Sequence, residues 1–156
     1  TAPIEHAVAL EAFRGWHPAV LEMINASQHT IRWGLFTVPP VRQWYRGRVV
    51  LLGDSAHGML PHHGQGANTT IEDAVTLAEL LLTDGADIHS TFARYQAMRK
   101  VRTRIIQRSA WATNRYLHLD NGPALEARDR RVGNFVGAFG WIHHFDALAN
   151  ARSMPQ

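Results

Sequence analysis

The pattern of apolar and polar positions divides the chain into helices separated by short extended segments. Residues 4–13 alternate small apolar and acidic types and predict a helix, which Gly15-Trp16-His17 interrupts. Pro18 stands where a helix favours proline, at its first position, and Val20, Leu21 and Ile24 give this second helix one apolar face. Ile31 to Val38 carries Trp33, Leu35 and Phe36 and suits a strand. Pro39-Pro40 ends it, since proline cannot donate to a ladder. After a turn at Arg46-Gly47-Arg48, Val49-Val50-Leu51-Leu52 is a short continuous apolar run bounded by glycines. That is the pattern of a strand buried on both faces of a parallel sheet.

Residues 53–67 are rich in glycine and histidine and predict a loop. Ile71 to Leu82 predicts a helix with Ile71, Ala74, Val75, Ala78, Leu81 and Leu82 facing inward. Glu72 and Asp73 fall in its expected first turn, where the helix dipole favours acids, and Asp84-Gly85 stops it. Ser90 is placed to cap a long helix from Thr91 to about Leu119. Its three- and four-residue steps are Phe92, Tyr95, Met98, Val101, Ile105, Ser109, Ala112 and Tyr116. Arg94, Arg99, Arg102, Arg104, Arg108 and Arg115 fill much of the remainder and read as a solvated face. Asn121-Gly122-Pro123 breaks this helix, and an amphipathic one follows from Pro123 to about Phe135. Gly137 to Gly140 is expected to loosen the chain, and the aromatic stretch Trp141 to Ala149 to dock on another element. Trp111, Trp141 and Phe145 read as core or interface residues.

Composition narrows the classes. The 156 residues are 46% hydrophobic and 19% charged, enough apolar content for a real core, which excludes whole-chain disorder. The absence of cysteine removes disulfides and cysteine-ligated metal sites, and fits a cytoplasmic protein without requiring one. No apolar run approaches the length of a membrane span, and no secretory signal is evident. The chain opens Thr-Ala-Pro rather than with methionine, so a longer parent is expected. Net charge is +3, carried by arginines with Lys100 as the one lysine. Neither charge nor aromatic spacing supports a nucleic-acid partner.

The stretch that carries chemistry is Arg48 to Ala74. A strand ending in Gly53-Asp54 puts a carboxylate at the sheet edge where open α/β folds bind ligands. An ionised Asp54 accepts hydrogen bonds from the hydroxyls of a sugar or polyol. Gly64 and Gly66 permit positive φ and close approach, and the amides opening the next helix point at an anionic or electron-rich group. His57, His62 and His63 match no ordinary zinc spacing, so no metal is expected. His57 reads as bonding within its own loop, while His62 and His63 line the cleft or face solvent, with a proton-transfer role for either left open. His143-His144 reads as incidental.

The segment resembles the second flavin-binding motif of the FAD-dependent aromatic hydroxylases, the family of p-hydroxybenzoate and salicylate hydroxylases. That motif runs Gly-Asp-Ala-Ala-His, Pro, Gly-x-Gly, Asn and Glu-Asp-Ala. Here it stands as Gly53-Asp54-Ser55-Ala56-His57, Pro61, Gly64-Gln65-Gly66, Asn68 and Glu72-Asp73-Ala74, with Ser55 the one departure. The resemblance implies a helix-rich α/β fold, the C-terminal portion of the Rossmann-like FAD-binding domain plus the end of the substrate domain. Residues 1–40 would close the substrate region, 41–83 hold the flavin motif, and 84–156 form C-terminal helices. Gly53 and Asp54 would serve the ribityl and pyrophosphate-proximal part of FAD. Pro61 would lie over the isoalloxazine face, and Gly64, Gln65, Gly66, Ala67 and Asn68 would present amides to its pyrimidine edge. The implied reaction is hydroxylation of an aromatic or similarly activated small molecule, with NAD(P)H as reductant and a flavin C4a-hydroperoxide as oxygen donor. The family's opening Gly-x-Gly-x-x-Gly turn and its middle Asp-Gly motif do not occur here. The chain is therefore expected to be part of such an enzyme, acting with a chain that carries the missing N-terminal half or as a homo-oligomer. The alternative is a non-catalytic remnant or the partner-binding half of a split flavoprotein.

Overall fold

The computed structural model describes residues 2–84, 87–133 and 135–153. They fall into two compact units, Thr1–Leu35 and Phe36–Gln156. In the first, β1 (Ala2–Pro3) and β2 (Ile31–Arg32) pair antiparallel, with Ala2 opposite Arg32 and Pro3 opposite Ile31. Between them lie α1 (His6–Ala12) and α2 (Pro18–Asn25). Pro18 opens α2 as expected, and the His17 ring Nδ1 accepts from the Ala19 N–H at 3.2 Å. The strand expected over 31–38 shrinks to two residues, and Trp33, Leu35 and Phe36 are exposed. A ladder extends only as far as its partner, and β1 offers two residues, one of them a proline without a donor.

The second unit opens its regular structure with a tight hairpin of β3 (Tyr45–Arg46) and β4 (Val49–Val50). Gly47 takes φ +57 at the first of its two turn positions, where a side chain would be strained. The parallel, doubly buried strand expected at Val49–Leu52 is thus corrected. Among the described residues its ladder is antiparallel to β3, and Val49 is 68% exposed. The residues expected to form a loop also carry structure: α3 (Asp54–His57), a 3₁₀ turn at Pro61–His63, and then α4 from Gly66 to Asp84. Ser55 explains the first of these. Its hydroxyl donates to the Leu52 carbonyl at 2.7 Å and accepts from the Leu52 N–H at 3.1 Å, stitching the turn closed.

The remaining elements are α5 (Ile88–Leu117), α6 (Pro123–Val132), α7 (Phe135–His143) and α8 (Ala147–Ser153), and α4 packs against both α5 and α8. Asp87, not Ser90, caps α5, accepting from the His89 N–H at 3.0 Å. Aspartate ranks with serine as a cap, and Asp87 comes first along the chain. Gly137 and Gly140 sit within α7, contrary to the loosening expected there; a helical glycine costs only about 1 kcal/mol. Gly85 of the expected helix stop lies outside the described residues. The core joins Trp44, Ala56, Leu80 and Tyr95, with Val41, Val50, Leu51, Leu77 and Met98 packed around them.

Neither long helix buries the whole face that periodicity assigns to the core. On α4 the buried residues are Thr69, Asp73, Thr76 and Leu80, whereas Ile71 is 62% and Leu82 83% exposed. At about 100° per residue, the two faces are roughly opposite. On α5, Phe92 and Tyr95 are buried as expected. The inward line then runs through Arg99, Thr103, Ile106 and Ala110, leaving Val101, Ile105 and Tyr116 exposed. Trp111 and Trp141, expected in the core or an interface, are largely exposed, and Ile142 is buried in place of its neighbour.

Candidate functional site

The β3–β4 hairpin leads the chain to Gly53, which adopts φ +60 and ψ −138. A Cβ there would lie 2.7 Å from Thr70 Oγ1 and 2.9 Å from Thr70 Cγ2, so this corner tolerates only glycine without rearrangement. Asp54 follows as the first residue of α3, with its side chain exposed. It faces the start of α4: a Cβ built on Gly66 would lie 4.0 Å from Asp54 Oδ1. Helix geometry leaves the N–H groups of Gly66, Ala67 and Asn68 without intrahelical acceptors, while Thr69 N–H reaches Gln65 O at 2.8 Å. An exposed carboxylate and an unclaimed row of amides therefore stand side by side.

The other sequence candidates build the turn before α4. Pro61 begins the 3₁₀ turn, and Gly64 closes it at φ +62 with its N–H donating to Pro61 O at 2.8 Å. Gln65 is buried; its side-chain N–H donates to His63 O at 3.2 Å, so the side chain braces the turn and is not presented outward. The exposed Asn68 side chain donates to Gly64 O at 3.4 Å. His63 Nε2 lies 2.9 Å from Ser109 Oγ and 3.3 Å from Thr113 Oγ1, which docks the turn on α5. Burial lowers the His63 pKa, and the bond to Ser109 only partly opposes this. Among the described residues no cluster of three metal-ligating side chains occurs, and no helix is long and apolar enough to cross a membrane.

Beneath this surface lies a polar cluster. Asp73 on α4 is 0% exposed. Its Oδ2 accepts from the Gly53 N–H at 3.0 Å and lies 2.6 Å from His57 Nε2; its Oδ1 accepts from Arg99 Nε at 2.7 Å. Arg99 also donates to Glu72 at 2.7 Å and to Thr69 O at 3.3 Å. Arg102 donates to both Glu72 oxygens at 2.7 Å, to Ile142 O at 2.9 Å, and covers the Phe145 ring at 3.8 Å. Two of the arginines read as a solvated face are therefore buried or half-buried ion-pair partners. Glu72 and Asp73 serve them from the second turn of α4 rather than the helix dipole from its first. Nor does His57 bond within its own loop: its partner is Asp73, sixteen residues on. Burial pushes both carboxyls up. Hydrogen bonds from Arg102 and Arg99 to Glu72, and from His57 and Arg99 to Asp73, outweigh that and hold both below the usual carboxylate range. Burial, reinforced by the Asp73 charge, raises the Tyr95 phenol well above its ordinary value.

This strand–turn–helix arrangement has counterparts. The family described as FAD binding domain matches residues 7–110. The chain belongs to this family. Within it, this FAD-binding-domain chain is 37% identical over 149 residues to 3-amino-4-hydroxybenzoate 2-monooxygenase PtmB3 of Streptomyces platensis, covering 94% of itself and 38% of that protein. It is 43% identical over 115 residues to 6-hydroxynicotinate 3-monooxygenase of Pseudomonas fluorescens, covering 73% of itself and 30% of the relative. Among solved structures, a salicylate hydroxylase substrate complex superposes with a TM-score of 0.81 at 28% identity, over 96% of this chain and 37% of that one. The family member described here is thus helix-rich α/β with the salicylate hydroxylase fold, and spans well under half the length of these relatives.

The turn of this FAD-binding-domain chain is legible in its glycines, whereas the buried cluster beneath it is not legible in local sequence. One signal was present. An arginine at position 99 interrupts the inward line Phe92, Tyr95, Thr103, Ile106, and a Glu-Asp pair interrupts α4 on the side that meets it. Charges of opposite sign on facing helices call for pairing rather than solvation.

Proposed function

We propose that this chain supplies the flavin-side contacts of an FAD-dependent monooxygenase that hydroxylates an aromatic or similarly activated small molecule. The observation carrying this reading is the Asp54 carboxylate set against the unclaimed amides of Gly66, Ala67 and Asn68. The pairing suits FAD: the carboxylate accepts from hydroxyls of the ribityl chain, and the amides meet an electron-rich ring edge. Gly53, Gly64 and Gly66 keep the backbone bare, and Pro61 heads the adjoining turn. When bound, FAD supplies the redox chemistry, taking reducing equivalents from NAD(P)H and activating oxygen for transfer of one atom to the substrate. The chain's own part is positional. Asp54 orients the polyol, and the fixed N–H dipoles of α4 stabilise negative charge on the reduced ring without reorganising. The relatives' names support a hydroxylated ring as product.

A second reading takes the chain as the partner-binding half of a split flavoprotein, and the exposed apolar residues Ile71, Val49 and Leu82 favour it. Flavin absorbance separates the two: the chain purified alone, and again with the product of any adjacent gene, is scanned in the visible region. Colour only with the partner selects the split enzyme. In the flavin-loaded protein, Asp54→Ala is expected to weaken FAD retention roughly tenfold or more, the loss of one charge-assisted hydrogen bond. Undiminished flavin content in that variant removes Asp54 from the site.

A further inference from the structure

We infer that Asp73 is the positioning residue of this site: its carboxylate, clamped by Arg99 and His57, takes the Gly53 N–H and so holds Asp54 opposite the first turn of α4. As a statement about FAD, this rests on the reading above. The geometry is that of a strut. One oxygen of Asp73 is spent on Arg99, and the other is shared between the Gly53 N–H and His57 Nε2. Both donors to the shared oxygen belong to the segment that carries Asp54: Gly53 precedes it, and His57 ends the same short helix. That helix has four residues and makes little of its own stability, so its placement must come from outside it. Asp73 lies on α4 itself, the helix whose amides Asp54 faces. The two halves of the site are therefore tied by one carboxylate rather than by packing alone.

His57 fits the same account. Its Nδ1 is buried without a partner, so the ring's one hydrogen bond is the contact of Nε2 with Asp73. Glu72 is paired with Arg102 and Arg99, and Asp73 with Arg99, so an Asp73 oxygen remains to accept from the Gly53 backbone.

An asparagine cannot replace it. Its single oxygen satisfies either Arg99 or the Gly53 and His57 pair, and its amide then opposes a donor on the other side. The test is amide hydrogen exchange on the full chain with Asp73→Asn. The Gly53 amide is expected to lose protection by about tenfold or more relative to that of Ile106, deep in α5. FAD affinity, read by flavin fluorescence, should fall by a similar factor. Leu80→Ala, a core change on the same helix, should lower thermal stability without the selective loss at Gly53. Equal acceleration at Gly53 and Ile106, or none, overturns the inference and leaves Asp73 a stabilising residue only. If Asp73→Asn does not fold, His57→Gln carries the same measurement, with a smaller selective loss at Gly53 expected and no loss overturning it. A wild-type chain that binds no FAD, alone or with a partner, defeats the flavin reading instead; the Gly53 exchange still decides the strut.

Discussion

The two faces of α4 obey opposite rules. One presents Thr69, Asp73 and Thr76 and is buried; the other presents Ile71, Ala74, Ala78 and Leu82 and is exposed. Hydrophobicity alone would turn the helix the other way. The polar face can stay inside because each of its groups finds a partner. The Thr69 hydroxyl donates to the Gln65 carbonyl just before the helix at 2.7 Å, the Thr76 hydroxyl donates to the Glu72 carbonyl at 2.8 Å, and Asp73 collects three donors. A buried cluster whose carboxylates are all paired can orient a helix against its own oily stripe, even though His57 Nδ1 and Arg99 Nη1 are left without partners.

The strongest way to break the comparison is to remove the centre of the buried face. Asp73→Ala strands Arg99 and His57, and a buried ion pair broken from one side costs about 3–5 kcal/mol. Chemical denaturation of the chain should show a loss of that size; a change under about 1 kcal/mol would mean that water enters and solvates the cluster. The same face sets the acid response. Glu72 and Asp73 have folded pKa values held below their unfolded values near about 4. Their contribution is therefore complete above that pH and is lost as pH falls through the folded values. Denaturation midpoints should drop steeply in acid, and Asp73→Asn should flatten the drop.

A milder cut is Arg102→Ala. It removes a two-point grip on Glu72, a contact with the Ile142 carbonyl and the cation over Phe145. Since Arg102 remains partly exposed and Arg99 still holds Glu72, a loss of about 1–3 kcal/mol is expected, read by the same denaturation. Near-UV circular dichroism should change with it, because α7 and the aromatic residues after it lose their tie to α5.

The same contrast explains what could be read from the chain. A first helix within residues 4–13, the start of α2, the turn at Gly47 and the break at Asn121-Gly122-Pro123 follow from local chemistry and are present. So is the glycine-marked turn before α4, because Gly64 takes a positive φ there that other residues rarely adopt. The rotation of α4 and of α5 beyond Tyr95 does not follow from periodicity, because it depends on pairing between Asp73 and Arg99, twenty-six residues apart. Periodicity sees each helix alone and assigns charge to solvent. The direction of the ladder at 49–52 is hidden for the complementary reason: an apolar β-branched run suits any sheet, and only its partner, β3, decides the direction.

The gentlest test addresses the exposed face. Leu82→Lys places a charge where the side chain meets solvent, so stability should change by no more than about 0.5 kcal/mol. Were hydrophobic patterning in control of α4, this change would be among the most damaging available, since Leu82 would belong to the core. Sedimentation of the variant sharpens the point. An apolar stripe carrying Ile71 and Leu82 on an isolated chain promotes self-association, and one lysine within it should shift the distribution toward monomer while the melting curve stays in place. If stability falls while the association state is unchanged, Leu82 packs within its own chain, and the exposed face must be redrawn without it.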